Sequence, residues 1–209
     1  MNSEKIIKTD SPDAVSKTLQ TLTNGGVIIY PTETLYGLGA LVSKSQAAER
    51  IFQIKGRNHS MSLPILVKDF VMLEKYASVP VMYKEMLQDL MPGPFMAILN
   101  LKTGINKLIT GGKDKIGIRI SNNTFVTYLM EKLDVPLIST SANTSGTENV
   151  FDIDDLISLF ENKVDLIIDS GNISPSKGST IVDFTVNPPQ IVREGDLSKA
   201  KIREYFIIK

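Results

Sequence analysis

The chain has 209 residues, of which 42% are apolar and 22% are charged, proportions typical of a globular protein with a core of its own. Its 23 Lys and Arg residues balance its 23 Asp and Glu residues, so no field of one sign surrounds the molecule to attract nucleic acid, although a local basic patch is compatible with that balance. The absence of Cys and the single His exclude disulfides, thiolate catalysis and His-rich metal sites.

Apolar spacing predicts alternating helices and strands from the N-terminus onwards. The first helix begins at Pro12, because proline suits the first helical turn, and it ends at Asn24-Gly25-Gly26, where glycine allows the chain to leave the helix. A short buried strand follows at 27–30. Ser45 is expected to cap a second helix that ends near Gly56.

The same patterns continue to the end of the chain. Further helices are predicted at 69–76, 80–90, 125–133, 152–160 and 197–206. Further strands are predicted at 64–67, 95–101, 116–120, 136–140, 164–169, 179–184 and 190–193. This interleaving predicts a mixed α/β fold in one domain over residues 1–209, with helices packed on a sheet. No apolar run is long enough to span a membrane and no signal-peptide pattern opens the chain, so a cytoplasmic location is expected.

Polar and glycine residues follow several predicted strands, at the positions where open α/β sheets collect ligands. Residues 30–39 hold hydroxyls, a carboxylate and two glycines, a composition that suits either a ligand-binding loop or a turn bonded to its own backbone. The cations of Lys55-Gly56-Arg57 suit either a phosphate clamp or the negative end of a helix dipole. Both interpretations of each segment stay open on residue types alone.

Two later segments have the same double interpretation. Arg119 lies on the strand face opposite Ile116 and Ile118, so its guanidinium points either to solvent or to a partner charge. Residues 139–146 read Ser-Thr-Ser-Ala-Asn-Thr-Ser-Gly and suit either an anion-binding loop or a plain polar turn. Residues 177–180 lack the order of a P-loop, and residues 37–39 lack the third glycine of a dinucleotide fingerprint. A nucleotide site in this chain is therefore of another design.

Taken in order, these segments resemble the YrdC-like threonylcarbamoyl-AMP synthase family across nearly the whole chain. The matching strings are YPTET at 30–34, YGLG at 36–39, KGR at 55–57, LPILV at 63–67, PGP at 92–94, GIR at 117–119, STSAN at 139–143, STIVD at 179–183 and VREG at 192–195. The specificity lies in the ordered set, because each string alone is weak.

The resemblance implies a twisted, mostly parallel sheet with flanking helices around a deep basic cavity. It also implies a nucleotidyltransferase that joins L-threonine, bicarbonate or CO₂, and ATP into threonylcarbamoyl-AMP with release of pyrophosphate. Mg²⁺ would accompany the ATP, and no metal ligand is expected from protein side chains. Partner proteins would then transfer the threonylcarbamoyl group to tRNA.

The resemblance further implies roles for individual residues. Lys55 and Arg57 would be the catalytic cations that hold the triphosphate. The ATP-binding set comprises Lys55, Arg57, Lys115, Ser141, Asn143 and Arg193. The threonine-binding set comprises Thr32, Arg119, Ser139 and Ser179. Thr34 and Tyr36 would shape the pocket.

The sequence departs from the family pattern at four positions. Asn58 replaces a usual Pro, Met91 a common Trp, and Met96 a common Thr, and Lys115 stands where some members have Thr. The chain ends soon after VREG, so we expect the minimal form without the second domain of longer members. Two alternatives to the synthase are an RNA-binding protein of the same fold and an inactive relative.

Overall fold

The computed structural model describes residues 5–102 and 104–207. The strands in these ranges are β1 Ile6–Lys8, β2 Ile28–Pro31, β3 Tyr36–Gly39, β4 Ile65–Leu66, β5 Ala77–Ser78, β6 Phe95–Leu101, β7 Lys115–Arg119, β8 Leu137–Ile138, β9 Thr140–Ser141, β10 Leu166–Asp169, β11 Thr180–Asp183 and β12 Gln190–Arg193. The α-helices are α1 Ala14–Thr23, α2 Ser45–Lys55, α3 Phe70–Tyr76, α4 Lys84–Leu90, α5 Lys107–Thr110, α6 Thr124–Glu131, α7 Ile153–Phe160 and α8 Lys199–Ile207. The predicted mixed α/β class is confirmed.

The strands form two sheets. The first has the order β1-β10-β2-β3-β9, and the second has the order β12-β11-β6-β7-β4-β8, with β5 paired to β6. The sheets meet near residues 137–141, because β8 belongs to the second sheet and the next strand, β9, belongs to the first. Bonds from Ile138 N–H to Ala40 O (2.8 Å) and from Val42 N–H to Pro136 O (3.1 Å) join the two sheets there.

The strand directions correct the expectation of a mostly parallel sheet. Neighbouring strands are parallel in β1–β10, β10–β2, β6–β11 and β4–β7, and antiparallel in β2–β3, β3–β9, β4–β8, β5–β6, β6–β7 and β11–β12. The physical reason is connection length. Short turns at 32–35 and 184–189 join β2 to β3 and β11 to β12, and a short turn can join only antiparallel neighbours.

Helix α2 ends as predicted but begins differently. Ser45 is its first residue rather than its cap, and Ser45 Oγ accepts a hydrogen bond from Asn106 Nδ2 at 3.1 Å instead of from an amide of the helix. Gly56 ends the helix at φ 56°, a left-handed conformation that costs glycine little. The chain therefore turns sharply just before Arg57.

The segment predicted as one strand at 136–140 is divided between the two sheets. Ser139, between β8 and β9, donates its amide to Pro64 O at 2.9 Å, and the chain crosses from one sheet to the other at this residue. Strands β1, β3 and β5 and helix α5 were not predicted. The Tyr-Gly-Leu-Gly sequence of β3 has low strand propensity, and the other three elements are very short.

One hydrophobic core connects the two sheets. It includes Tyr30 of the first sheet, Phe95 of the second sheet and Phe52 of helix α2, all of which are fully buried. Within the described ranges, no helix combines the length and the apolar character that crossing a membrane requires. The core holds the junction of the two sheets in place, and this junction carries the candidate site.

Candidate active site

A cavity of about 260 Å³ lies at the junction of the two sheets, near the lower end of the volumes of small-molecule sites. Its wall takes residues from the 32–35 turn and from β3 and β9 of the first sheet, and from β6, β7, β11 and β12 of the second. Nine residues of the predicted site line it: Thr32, Thr34, Tyr36, Arg57, Arg119, Ser139, Ser141, Ser179 and Arg193. Lys55, Asn143 and Lys115 lie outside the lining.

The floor of the cavity is one face of the second sheet. Met96, Ile98, Ile181 and Arg119 line it together, because β11, β6 and β7 are neighbours and alternate residues of a strand face the same side. Gly117 leaves room for this arrangement, since a Cβ atom there would lie 3.0 Å from Met96 Sδ. The cavity therefore has an apolar half beside a cationic half.

Arg119 is only 6% exposed and lines the cavity. One of its amino groups donates to Glu33 Oε1, and Glu33 Oε2 accepts a hydrogen bond from Ser121 Oγ. Of the two options left open for Arg119, the structure shows the partner charge. Glu33 was not predicted as a site residue, although a carboxylate between two threonines after a buried strand was the available signal.

Arg57 approaches the cavity from the end of helix α2. Its Nη2 donates to Ser62 O at 2.8 Å. This bond ties the side chain to the loop between helix α2 and strand β4, in which both residues lie. Burial lowers the pKa of the Arg57 guanidinium, so the cation is partly removed from water, and no carboxylate of the described residues pairs with it. A negatively charged ligand in the cavity would offset that loss of hydration.

Arg193 lies on edge strand β12 and also lines the cavity. Its Nε and Nη2 donate to Ser179 O at 3.3 and 2.8 Å. Burial lowers the pKa of Arg193, the nearby Arg119 charge lowers it further, and Asp196 offsets part of the effect. The repulsion between Arg193 and Arg119 indicates a site suited to an anion.

Three buried polar side-chain atoms of the described residues have no hydrogen-bond partner: Arg57 Nε, Arg119 Nε and Ser179 Oγ. All three residues line the cavity. An unsatisfied buried polar group costs about 1–3 kcal/mol, so folded chains retain few of them. Their concentration in one cavity indicates a place for a polar, anionic ligand.

Lys55 is buried outside the cavity lining and binds residues 141–143, of which Ser141 lines the cavity. Its Nζ donates to Ser141 O (2.6 Å), Asn143 O (2.8 Å) and Asn143 Oδ1 (3.2 Å), so three acceptors of the protein surround the ammonium group. Burial, and then the neighbouring Arg57 charge, lower the pKa of Lys55 to about 8. The side chain therefore stabilises the 141–143 loop directly.

The buried Lys55 predicts a pH-dependent contribution to stability. Its pKa falls from 10.5 to about 8 on folding, so between these values the unfolded state binds more protons and the free energy of unfolding rises with pH. From pH 7 to above pH 10, we expect wild type to gain about 2–3 kcal/mol relative to a Lys55→Met variant. Urea denaturation of both proteins across this range measures the difference, and a constant difference would contradict the prediction.

The remaining polar residues of the 139–147 segment bond mainly to one another. Ser141 Oγ donates to Asn143 Oδ1 at 2.6 Å, and Asn143 Nδ2 donates to Thr147 O at 2.8 Å. Ser141 lines the cavity, whereas Asn143 stands behind it and shapes the loop. Lys115 lies elsewhere, paired with Asp183 at 2.7 Å.

Two tyrosines fix the backbone around the cavity. Tyr30 Oη donates to Ser139 Oγ at 2.7 Å, and burial raises the pKa of Tyr30 to about 12, so the phenol stays a neutral donor. Tyr36 Oη donates to Gly171 O at 2.7 Å and accepts from the Ser170 amide at 2.9 Å. Tyr30 was not predicted as a site residue, since its role depends on a contact with a distant part of the chain.

The turn at 32–35 is organised by Thr32. Its Oγ1 donates to Leu35 O at 2.7 Å and accepts from the amides of Thr34 (3.2 Å) and Leu35 (3.1 Å). Thr34 Oγ1 lies 3.2 Å from Thr32 Oγ1. Thr32 thus stabilises the turn itself. Among the described residues, the Thr34 hydroxyl makes fewer hydrogen bonds than the Thr32 hydroxyl.

Comparison with known proteins identifies relatives of this chain. The sequence profile of the Sua5–YciO–YrdC family, described as "Telomere recombination", matches residues 20–195. The chain is 36% identical over 179 residues to the "Putative threonylcarbamoyl-AMP synthase" of Methanocaldococcus jannaschii, covering 86% of this chain and 84% of that protein. It is 32% identical over 181 residues to the "Threonylcarbamoyl-AMP synthase" of Pyrococcus abyssi, covering 86% of this chain and 53% of that protein.

A solved structure gives the same result. The structure of P. abyssi Sua5 complexed with L-threonine superposes with a TM-score of 0.89 at 28% identity, covering 96% of this chain and 60% of that one. The chain therefore spans little more than half the length of the P. abyssi protein. The family profile covers residues 20–195 of the 209, so this chain belongs to the Sua5–YciO–YrdC family.

Proposed function

We propose that this chain synthesises L-threonylcarbamoyl-AMP from L-threonine, bicarbonate or CO₂, and ATP, and releases pyrophosphate. The observation that carries the proposal is the convergence of Arg57, Arg119 and Arg193 on one cavity in which three buried polar atoms have no partner. A ligand with both a carboxylate and a phosphate group would satisfy these donors. The names of the two archaeal relatives support the same reaction.

The chemistry requires two successive bond formations. The amine nitrogen of threonine attacks the carbon of CO₂, loses a proton and becomes a carbamate. A carbamate oxygen then attacks the α-phosphorus of ATP, and the bond from that phosphorus to the bridging oxygen of the β-phosphate breaks. Pyrophosphate leaves with the electron pair. Such a transfer depends on positioning and on stabilisation of developing negative charge more than on a protein nucleophile.

The phosphate end of the reaction fits the part of the cavity that Arg57 and Arg193 line. We assign Arg57 and Arg193 to the phosphate oxygens, because both residues line the cavity and neither guanidinium contacts a carboxylate in the part of the chain that the structure describes. Ser141 would contact the nucleotide from β9. Lys55 would act by holding the 141–143 loop, as its three bonds to that loop suggest.

The amino-acid end fits the floor. Arg119 would bind the threonine carboxylate through its unpartnered Nε, and Ser179 would add its unpartnered Oγ. Ser139 is held by Tyr30 and would contact the substrate beside them. Thr32 would contribute mainly by fixing the turn that closes the pocket.

Mg²⁺ would enter as the partner of ATP. No cluster of three His, Asp or Glu side chains suited to a metal occurs among the residues that the structure describes. The triphosphate oxygens would thus supply its ligands, and neutralising them favours departure of pyrophosphate. Tyr36 and Thr34 would shape the space around the nucleotide.

The product would pass to transferase proteins that modify tRNA. RNA binding as the main activity is less well supported, because the arginines line a cavity of about 260 Å³, a volume suited to a small molecule rather than to an RNA strand. The joint presence of the cations and unpartnered donors in one cavity argues against an inactive relative.

Pyrophosphate release tests the proposal. We expect release from MgATP to require threonine and bicarbonate together, and to fall to background when either is omitted. Mass spectrometry should detect a threonylcarbamoyl adenylate in the same reactions. ATP consumption that is indifferent to threonine would contradict the proposal, and an RNA affinity that is lost with salt but unaffected by ATP would favour the RNA-binding alternative.

A further inference from the structure

Glu33 occupies an unusual place beside the cavity. It lies in the 32–35 turn between Thr32 and Thr34, and both threonines line the cavity whereas Glu33 does not. Its carboxylate nevertheless reaches Arg119, which is part of the lining. Glu33 therefore contacts the guanidinium from outside the space that a ligand would occupy.

The carboxylate of Glu33 is itself held from a second side. Its Oε2 accepts a hydrogen bond from Ser121 Oγ, and Ser121 Oγ accepts one from the Asn123 amide at 3.2 Å. Asn123 caps helix α6, where its side chain accepts from the Val126 amide at 3.2 Å. The position of Glu33 is thus tied to the end of β7 and to the start of α6.

Arg119 needs such a support. The side chain has several rotatable bonds, and the nearby Arg193 guanidinium, whose pKa the Arg119 charge lowers, repels it. The charge-assisted bond from one amino group of Arg119 to Glu33 Oε1 restricts the orientation of the guanidinium, because the carboxylate is itself fixed by Ser121. The Nε of Arg119 then stays unpartnered and available to a ligand.

We propose that Glu33 is the positioning residue that orients Arg119 toward the carboxylate of the amino-acid substrate. The inference rests on the proposed function, since Arg119 is assigned there to the threonine end. Glu33 does not touch the substrate in this arrangement. It reduces the reorganisation that Arg119 would otherwise undergo when the amino acid binds.

A Glu33→Gln variant tests this role, because glutamine keeps the size of the side chain and removes its charge. We expect the KM for threonine to rise roughly tenfold, while the KM for ATP and kcat change by less than about twofold. Ser121→Ala removes one support of the carboxylate and should shift only the threonine KM, by roughly threefold. This second variant keeps the proposal testable if Glu33→Gln does not fold.

A double-mutant cycle with Arg119→Gln shows whether Glu33 acts through Arg119. In the Arg119→Gln background, Glu33→Gln should change the threonine KM by less than about twofold. Equal increases in the KM for threonine and for ATP, or fully additive effects in the cycle, would overturn the proposal. Wild-type enzyme without threonine-dependent pyrophosphate release would instead overturn the proposed function, and this inference with it.

Discussion

An Arg57→Ala variant is expected to lose about 100-fold to 1,000-fold in ATP-dependent turnover while keeping its fold, since removal of one preorganised donor at a developing charge has effects of that size. Among the described residues, the Arg57 side chain makes one hydrogen bond, to Ser62 O, and its Nε has no partner. The substitution therefore removes an unsatisfied buried group along with the single bond. The free energy of unfolding should change by less than about 1 kcal/mol.

Arg50→Ala is a matched control in helix α2, the helix that ends just before Arg57. Arg50 pairs with Asp165 at 2.7 Å and is not part of the cavity lining. We expect this variant to lose about 0.5–1 kcal/mol of stability and to retain its activity, the reverse of the Arg57→Ala pattern. Pyrophosphate release and urea denaturation measure both quantities. If Arg57→Ala unfolds the chain, Arg57 has a structural role and the assignment to phosphate is wrong.

Local patterns predicted those parts of the fold that depend on neighbouring residues. Strand β6 spans Phe95–Leu101, the predicted bounds, because five consecutive apolar residues at 95–99 follow a proline corner. Strand β3 was missed because two of its four residues are glycines, and its pairing with β2 and β9 compensates for their low propensity. The strand directions depend on the tertiary path of the chain, which no local pattern records.

The candidate site was predictable as a set of residues more than as a set of contacts. The ordered motifs brought nine residues to one cavity. Lys55 has the residue type of a phosphate ligand, but its Nζ is surrounded by carbonyl and amide oxygens of residues 141–143. A contact over that sequence separation is invisible in the motif. Glu33 was missed because its partner, Arg119, lies on the other sheet, and no local pattern records that contact.

The second large effect is expected at the amino-acid end of the cavity. Arg119→Gln should raise the KM for threonine about 100-fold, because it replaces a charge-assisted bond to the substrate carboxylate with a neutral one. The KM for ATP should change by less than about threefold, since Arg57 and Arg193 are assigned to the phosphates. Steady-state pyrophosphate release with each substrate varied in turn measures this difference.

Adding Glu33→Gln to Arg119→Gln should restore the free energy of unfolding without restoring threonine binding. Arg119→Gln alone leaves the mostly buried Glu33 carboxylate without its cation, and breaking such a pair costs about 3–5 kcal/mol. Adding Glu33→Gln removes the unpaired charge, so the double variant should regain most of that stability in urea denaturation. The double variant should keep the high KM for threonine, because no guanidinium remains to bind the carboxylate. Recovery of threonine affinity together with stability would show that Arg119 supports the fold alone and does not contact the substrate.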